Sequence, residues 1–199
     1  MTNKLLTAIM GLLLLATVSY GQSSFHFGLK ADMDLTNISG KGMKGNFSLG
    51  FNGGAFAEYN FTPKWGLQPE VLFTQFNNKQ GDDFLTYYVN SGKNDAKSSV
   101  KLSYVTVPVL LTYNVNEILS LNAGPQMSFL VYDNEDLLLR DRAAFKKLDY
   151  GVAAGLTLHV AQIRFYGRYV YGIANVNDVD DRYKWHNQEI QLGMGVTIK

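Results

Sequence analysis

From Phe25 onward, apolar side chains recur at every second position in runs of about ten residues, with clusters of Gly, Asn, Asp and Lys between the runs. In the first run Phe25, Phe27, Leu29, Ala31 and Met33 share one face, and His26, Gly28, Lys30 and Asp32 share the other. The second, Phe47 to Phe61, sets Phe47, Leu49, Phe51, Ala55, Ala57, Tyr59 and Phe61 against Ser48, Asn52, Glu58 and Asn60. The third sets Leu67, Pro69, Val71 and Phe73 against Gln68, Glu70 and Thr74. In the fourth, Val105 to Val115 alternates with a face that is only partly polar, Tyr104, Thr106, Pro108, Leu110, Thr112 and Asn114. Four more runs follow, at Leu119 to Phe129, Leu148 to Val160, Gln162 to Tyr171 and Asn187 to Ile198. Eight amphipathic strands are the expectation.

The connections separate the possible architectures. Three are short, around Thr62 to Lys64, at Asn116 to Glu117 and at Ala161. Four are long, Asp34 to Asn46, Asn77 to Ser99, Asp133 to Lys147 and Asn175 to His186. Short and long alternate strictly, so one rim carries tight turns and the other extended polar loops. That is the layout of an outer-membrane β-barrel, with turns on the periplasmic side and loops outside. The fold predicted is all-β: a closed antiparallel up-and-down transmembrane barrel of about eight strands. Closure follows from physics, because hydrocarbon leaves no partner for the unpaired N–H and C=O groups of an open edge. A strand of roughly ten tilted residues suffices to cross. Tyr59, Phe61 and Tyr113 near the short turns, and Tyr150, Tyr169 and Tyr171 toward the long loops, are expected to form the interfacial girdles of such a barrel. A soluble ligand carrier would need the reverse facing, with an apolar lumen and a polar exterior.

The first residues are read separately. Lys4 precedes an apolar run from Leu5 to Val18, followed by the small residues Ser19 and Gly21, as in a secretory signal peptide cut before Gln22. Residues 1–21 are therefore assigned to the signal and 22–199 to one barrel domain exported to the outer membrane. Of 18 Lys plus Arg and 17 Asp plus Glu in the chain, removal of Lys4 leaves 17 of each. Such a balance holds no basic footprint for nucleic acid. The chain has no cysteine, which excludes a disulfide scaffold, thiolate zinc ligation, a thiol nucleophile and a lipid-anchored Cys.

With the polar faces turned inward, Lys30, Asp32, Glu58, Glu70, Asp149, Arg164, Arg168 and Glu189 share the lumen. Charges of both signs in so narrow a space are expected to pair with one another, plugging the barrel. The alternative is a narrow conducting or small-ligand lumen. His26, His159 and His186 lack metal-ligand spacing, so no metal is expected. No G-x-S-x-G, phosphate loop or dinucleotide fingerprint appears, so neither a catalytic set nor a cofactor is expected. His186 with Asp180 and Asp181 reads as a polar loop rather than a hydrolytic site. The acidic stretch Asn177, Asp178, Asp180 and Asp181 lacks the glycine and bidentate glutamate of a calcium loop. The expected partners are outer-membrane lipid and proteins met through the long loops.

Several segments resemble the PorT-like outer-membrane β-barrel family common in Bacteroidetes. They are Phe27-Gly-Leu-Lys-Ala31, Ala55-Phe-Ala-Glu-Tyr59, Leu67-Gln-Pro-Glu70, Val107-Pro-Val-Leu-Leu111, Tyr113-Asn114 and Leu121-Asn-Ala-Gly-Pro125. The resemblance spans the mature chain and implies the barrel fold, with no shared catalytic residues to carry over. The named member's link to type IX secretion and gliding implies a structural, anchoring or secretion-accessory role. One departure is the end of the chain, Ile198-Lys199, where barrels of this kind often place an aromatic residue.

Overall fold

The computed structural model describes residues 24–41, 47–79, 99–134, 146–177 and 182–198. Eight strands follow one another: β1 (Ser24–Ser39), β2 (Ser48–Asn60), β3 (Trp65–Lys79), β4 (Ser99–Asn114), β5 (Leu119–Asn134), β6 (Leu148–Val160), β7 (Ile163–Gly172) and β8 (His186–Thr197). Each pairs antiparallel with the next, and β8 closes onto β1. No helix among the described residues is long and apolar enough to cross a membrane.

A path of paired residues shows how the ring is staggered. It runs from Ser24 through Asn60, Gly66, Thr112, Asn122, Gly155, Arg168 and Gln191, and meets β1 again at Asp34, ten residues beyond its start. That stagger tilts the strands, and a ring of eight leaves an interior just wide enough for side chains to fill. Two inward glycines lie where the space runs out. A Cβ on Gly193 would sit 2.3 Å from that of Asp32, and one on Gly28 would sit 2.6 Å from the Phe56 ring.

Two of the three tight turns are built by local side-chain acceptors. Thr62 Oγ1 accepts from the Trp65 amide at 2.9 Å, and Asn116 Oδ1 accepts from the Ile118 and Leu119 amides at 2.9 and 2.8 Å. Between β6 and β7 a two-residue turn puts Ala161 at φ 54°, the left-handed conformation such hairpins require.

The strands reach further than the sequence pattern implies. Asp34 to Ser39 were expected in a loop, yet they continue β1, pairing with β2 as far as Thr36 and with β8 as far as Ser39. Asn77 to Lys79, Ser99, Asp133, Asn134 and His186 are likewise in strands. The polar side chains of Asp34 and Thr36 read as loop because the barrel's inner face is itself polar. The first three long loops are thus shorter than predicted, the last lies at 173–185, and the tight turns are slightly longer, at 61–64, 115–118 and 161–162.

Outward positions carry large exposed apolar side chains on all eight strands, from Phe25, Leu29 and Met33 on β1 to Leu192, Met194 and Val196 on β8. Inward positions are mainly polar and buried, among them Asn52, Thr74, Thr106, Gln126 and Gln191. Tyr59, Tyr150, Tyr169 and Tyr171 are exposed as the girdle reading expected, and Phe61 with them. Trp65 and Tyr132 join them, while Tyr113 is half-covered by the Trp65 ring, its centroid 4.8 Å away. On β5 a bulge opposite Ser103 and Tyr104 leaves Val131 without a partner, turning both Val131 and Tyr132 outward.

Candidate functional site

All eight charged residues read onto the polar faces are buried inside the ring. They form two groups along the axis. Toward the short-turn rim stand the three cations with Glu58 and Glu70; toward the long-loop rim stand Asp32, Asp149 and Glu189.

Glu70 on β3 is the hub of the first group. Arg168, across the lumen on β7, grips it with two hydrogen bonds, Nη1 to Oε2 at 3.0 Å and Nη2 to Oε1 at 2.8 Å. Lys30 Nζ reaches Oε2 at 3.0 Å, and Gln68 Nε2 donates to Oε1 at 2.6 Å. The Lys30 ammonium also lies 3.7 Å from the centre of the Tyr166 ring, whose hydroxyl donates to Asp32. A forked guanidinium on a carboxylate that also holds an ammonium gives each buried charge a partner. Nearer the rim Arg164 pairs with Glu58, donates through Nε to Thr197 Oγ1 at 2.8 Å, and packs 4.7 Å from the Phe56 ring.

The second group has no cation among the described lumen residues. Glu189 accepts from Gln191 at 2.8 Å, and Asp149 accepts from Asn187 at 2.7 Å. Asp34, which the sequence pattern assigned to a loop, joins them, wholly buried with both carboxyl oxygens unpartnered. Above this zone the lumen turns apolar. Ile38, Leu72, Phe76, Leu102, Tyr104, Val176 and Trp185 are all buried, with Phe76 edge-on to Tyr104 at 5.3 Å. Trp185 is pinned through Nε1 to the Lys41 carbonyl at 3.1 Å. The partly polar inner face of β4 foreshadowed this, since Tyr104 and Leu110 belong to it. The contributions of Phe76, Val176 and Trp185 were not singled out in the sequence, because they come from strand ends and a loop.

At the short-turn rim the lumen opens into a cavity of about 780 Å³ lined by His26, Glu58, Asn60, Ser120, His159 and Arg164, among others. Ser120 Oγ lies 2.9 Å from His159 Nε2, the spacing of a nucleophile and its base. Hydrogen-bond accounting removes that reading. Asn114 Nδ2 donates to the Pro63 carbonyl, so its Oδ1 faces Ser120 and takes the hydroxyl proton at 2.7 Å. The Ser120 oxygen is then left as acceptor and His159 Nε2 as donor, the reverse of what activation needs. His186 lies at the opposite rim against the Gly172 carbonyl. Among the described residues no three His, Asp or Glu side chains converge on a metal position. Asp178, Asp180 and Asp181 lie outside the described residues; Asn177 is described, and donates to the Tyr183 carbonyl.

A family model described as "Outer membrane protein beta-barrel domain" matches residues 17–178. The chain belongs to that family.

Solved structures of the same architecture agree with the membership. Ail of Yersinia pestis, in complex with the heparin analogue sucrose octasulfate, aligns with a TM-score of 0.53 at 15% identity, covering 88% of this chain and 99% of that one. Neisserial surface protein A (NspA) aligns with a TM-score of 0.53 at 17% identity over 88% and 99%. Ail in a phospholipid bilayer nanodisc gives 0.50 at 16% over 88% and 100%. At these identities the likeness is one of fold. No curated protein sequence matches the chain. An outer-membrane barrel explains the facing: the exposed Leu, Val and Phe rows meet lipid, and the buried polar rows are the lumen.

Proposed function

We propose that this outer-membrane barrel is a non-enzymatic, non-conducting protein with a structural, anchoring or secretion-accessory role, whose long loops are its interaction surface. The observation that carries the reading is the blocked lumen. Glu70 with Arg168 and Lys30 spans it at mid-height, and the apolar layer around Leu102, Tyr104 and Trp185 lies beyond. Ions crossing would have to shed water against both. Partners are met in the regions 34–46, 77–99, 133–147 and 175–186, shortened where β1, β3, β4, β5 and β8 extend into them. The PorT-like resemblance and the tie to Bacteroidetes belong to this reading, as does export through residues 1–21 with cleavage before Gln22.

A narrow channel or small-ligand barrel is the second reading, favoured by the open cavity at the short-turn rim. Planar-bilayer recording separates the two. Purified protein is expected to give no steps of its own; steps that change in size with Arg164→Ala or Glu70→Ala would overturn the non-conducting reading.

A further inference from the structure

Among the described residues, the outer half of the lumen holds more oxygen acceptors than donors to serve them. The side-chain amides of Gln126, Gln191 and Asn187 turn their donors toward Glu189 and Asp149. The amide oxygens of the same three side chains are buried and unpartnered. Asp32 keeps one carboxyl oxygen without a donor and Asp34 both, with the two carboxyl groups within hydrogen-bond reach of each other. Independently of these carboxylates, Asn52 on β2 is wholly buried, and neither of its side-chain polar atoms has a partner.

Register brings four of these groups together on three adjacent strands. Asp32 is paired with Asn52, and Asp34 with Gln191. The charged neighbours of Asp34 are Asp32, Glu189 and Lys30. Lys30 is already committed to Glu70. This stretch of the lumen wall is therefore rich in carboxyl groups, with neutral amide oxygens beside them. Two carboxylates with two amide oxygens make the donor set of a hard cation such as Ca2+, not of zinc or iron.

We propose that the outer lumen binds a hard cation, seated by Asp32, Asp34, Asn52 and Gln191. The cation supplies the positive charge that the outer group lacks among its own side chains, and ties β8, β1 and β2 together beneath the apolar layer. Its place in the lumen gives the barrel a cation-dependent stiffness at the end that carries the loops.

Terbium is the probe, since it substitutes for calcium and is sensitised by nearby aromatic rings; the Tyr166 hydroxyl already touches Asp32. The full chain in phosphatidylcholine nanodiscs is expected to give saturable terbium emission that Ca2+ displaces. Asp34→Asn should weaken that binding by more than about tenfold, while Glu117→Gln, on the exposed opposite rim, leaves it unchanged. Absence of saturable emission, or binding that Asp34→Asn leaves intact, would mean that protons and water satisfy these oxygens, and the site is withdrawn. If Asp34→Asn does not fold, Asn52→Ala and Gln191→Ala remove uncharged oxygens from the same site and carry the same two outcomes.

Discussion

Glu70→Gln is expected to lower the unfolding free energy by about 3–5 kcal/mol, because it strips the shared anion from two buried cations at once. Arg168 would keep its place with one hydrogen bond where it had two, and Lys30 would face a neutral amide. Both are buried, so neither can recover the loss by turning to water. Urea unfolding of the barrel in lipid vesicles reads the effect. Lys30→Met placed on top of Glu70→Gln should restore part of the lost stability, since it deletes one of the two orphaned charges and leaves an apolar side chain of similar length beside the Tyr166 ring. A stability unchanged by Glu70→Gln would mean that the ion cluster is hydrated rather than sealed.

Val71→Arg tests the opposite face and is expected to cost about 2–4 kcal/mol in a bilayer. Val71 is 58% exposed, on the outer row of β3 between Leu67 and Phe73. Trp65 marks the near interface, and the strand continues to Lys79 on the far side. A cation there must be stretched toward a headgroup or drag water into hydrocarbon. Tyr132→Arg, on the outer row near the long-loop end of β5, should cost only about 0–1 kcal/mol, since the penalty falls with distance from the midplane. Equal effects at the two sites would argue against the depth assigned to Val71.

How far the fold was legible depended on what each strand places inside. On β5 the alternation is clean, because Leu121, Ala123, Met127 and Phe129 meet lipid while Asn122, Gln126 and Ser128 line the lumen. On β4 it blurs, because Leu102, Tyr104 and Leu110 fill the lumen with apolar bulk. Strand ends were the least legible. Asp34 and Thr36 point into the interior, and nothing in their chemistry distinguishes that from a loop.

The charged residues themselves could be read off, since each falls on the polar side of its strand. Their pairing could not. Glu70 and Arg168 are 98 positions apart in the chain, and they meet only because the ten-residue stagger puts β3 and β7 at matching heights across the ring. The same stagger decides that Asp34 has carboxylates for neighbours and Glu70 has cations. A period-two pattern fixes the face of a residue, whereas its height depends on a closure that no single strand encodes.

Because the natural chain has no cysteine, a single-cysteine scan of β5 with nitroxide labels in lipid vesicles needs no background changes. Labels at positions 121, 123, 127 and 129 should collide freely with oxygen dissolved in the bilayer and hardly at all with a water-soluble nickel chelate. Those at 122, 126 and 128 should be shielded from both. Oxygen collisions peaking at 122, 126 and 128 would place the polar row in lipid, and an apolar wall around a polar lumen would no longer describe this molecule.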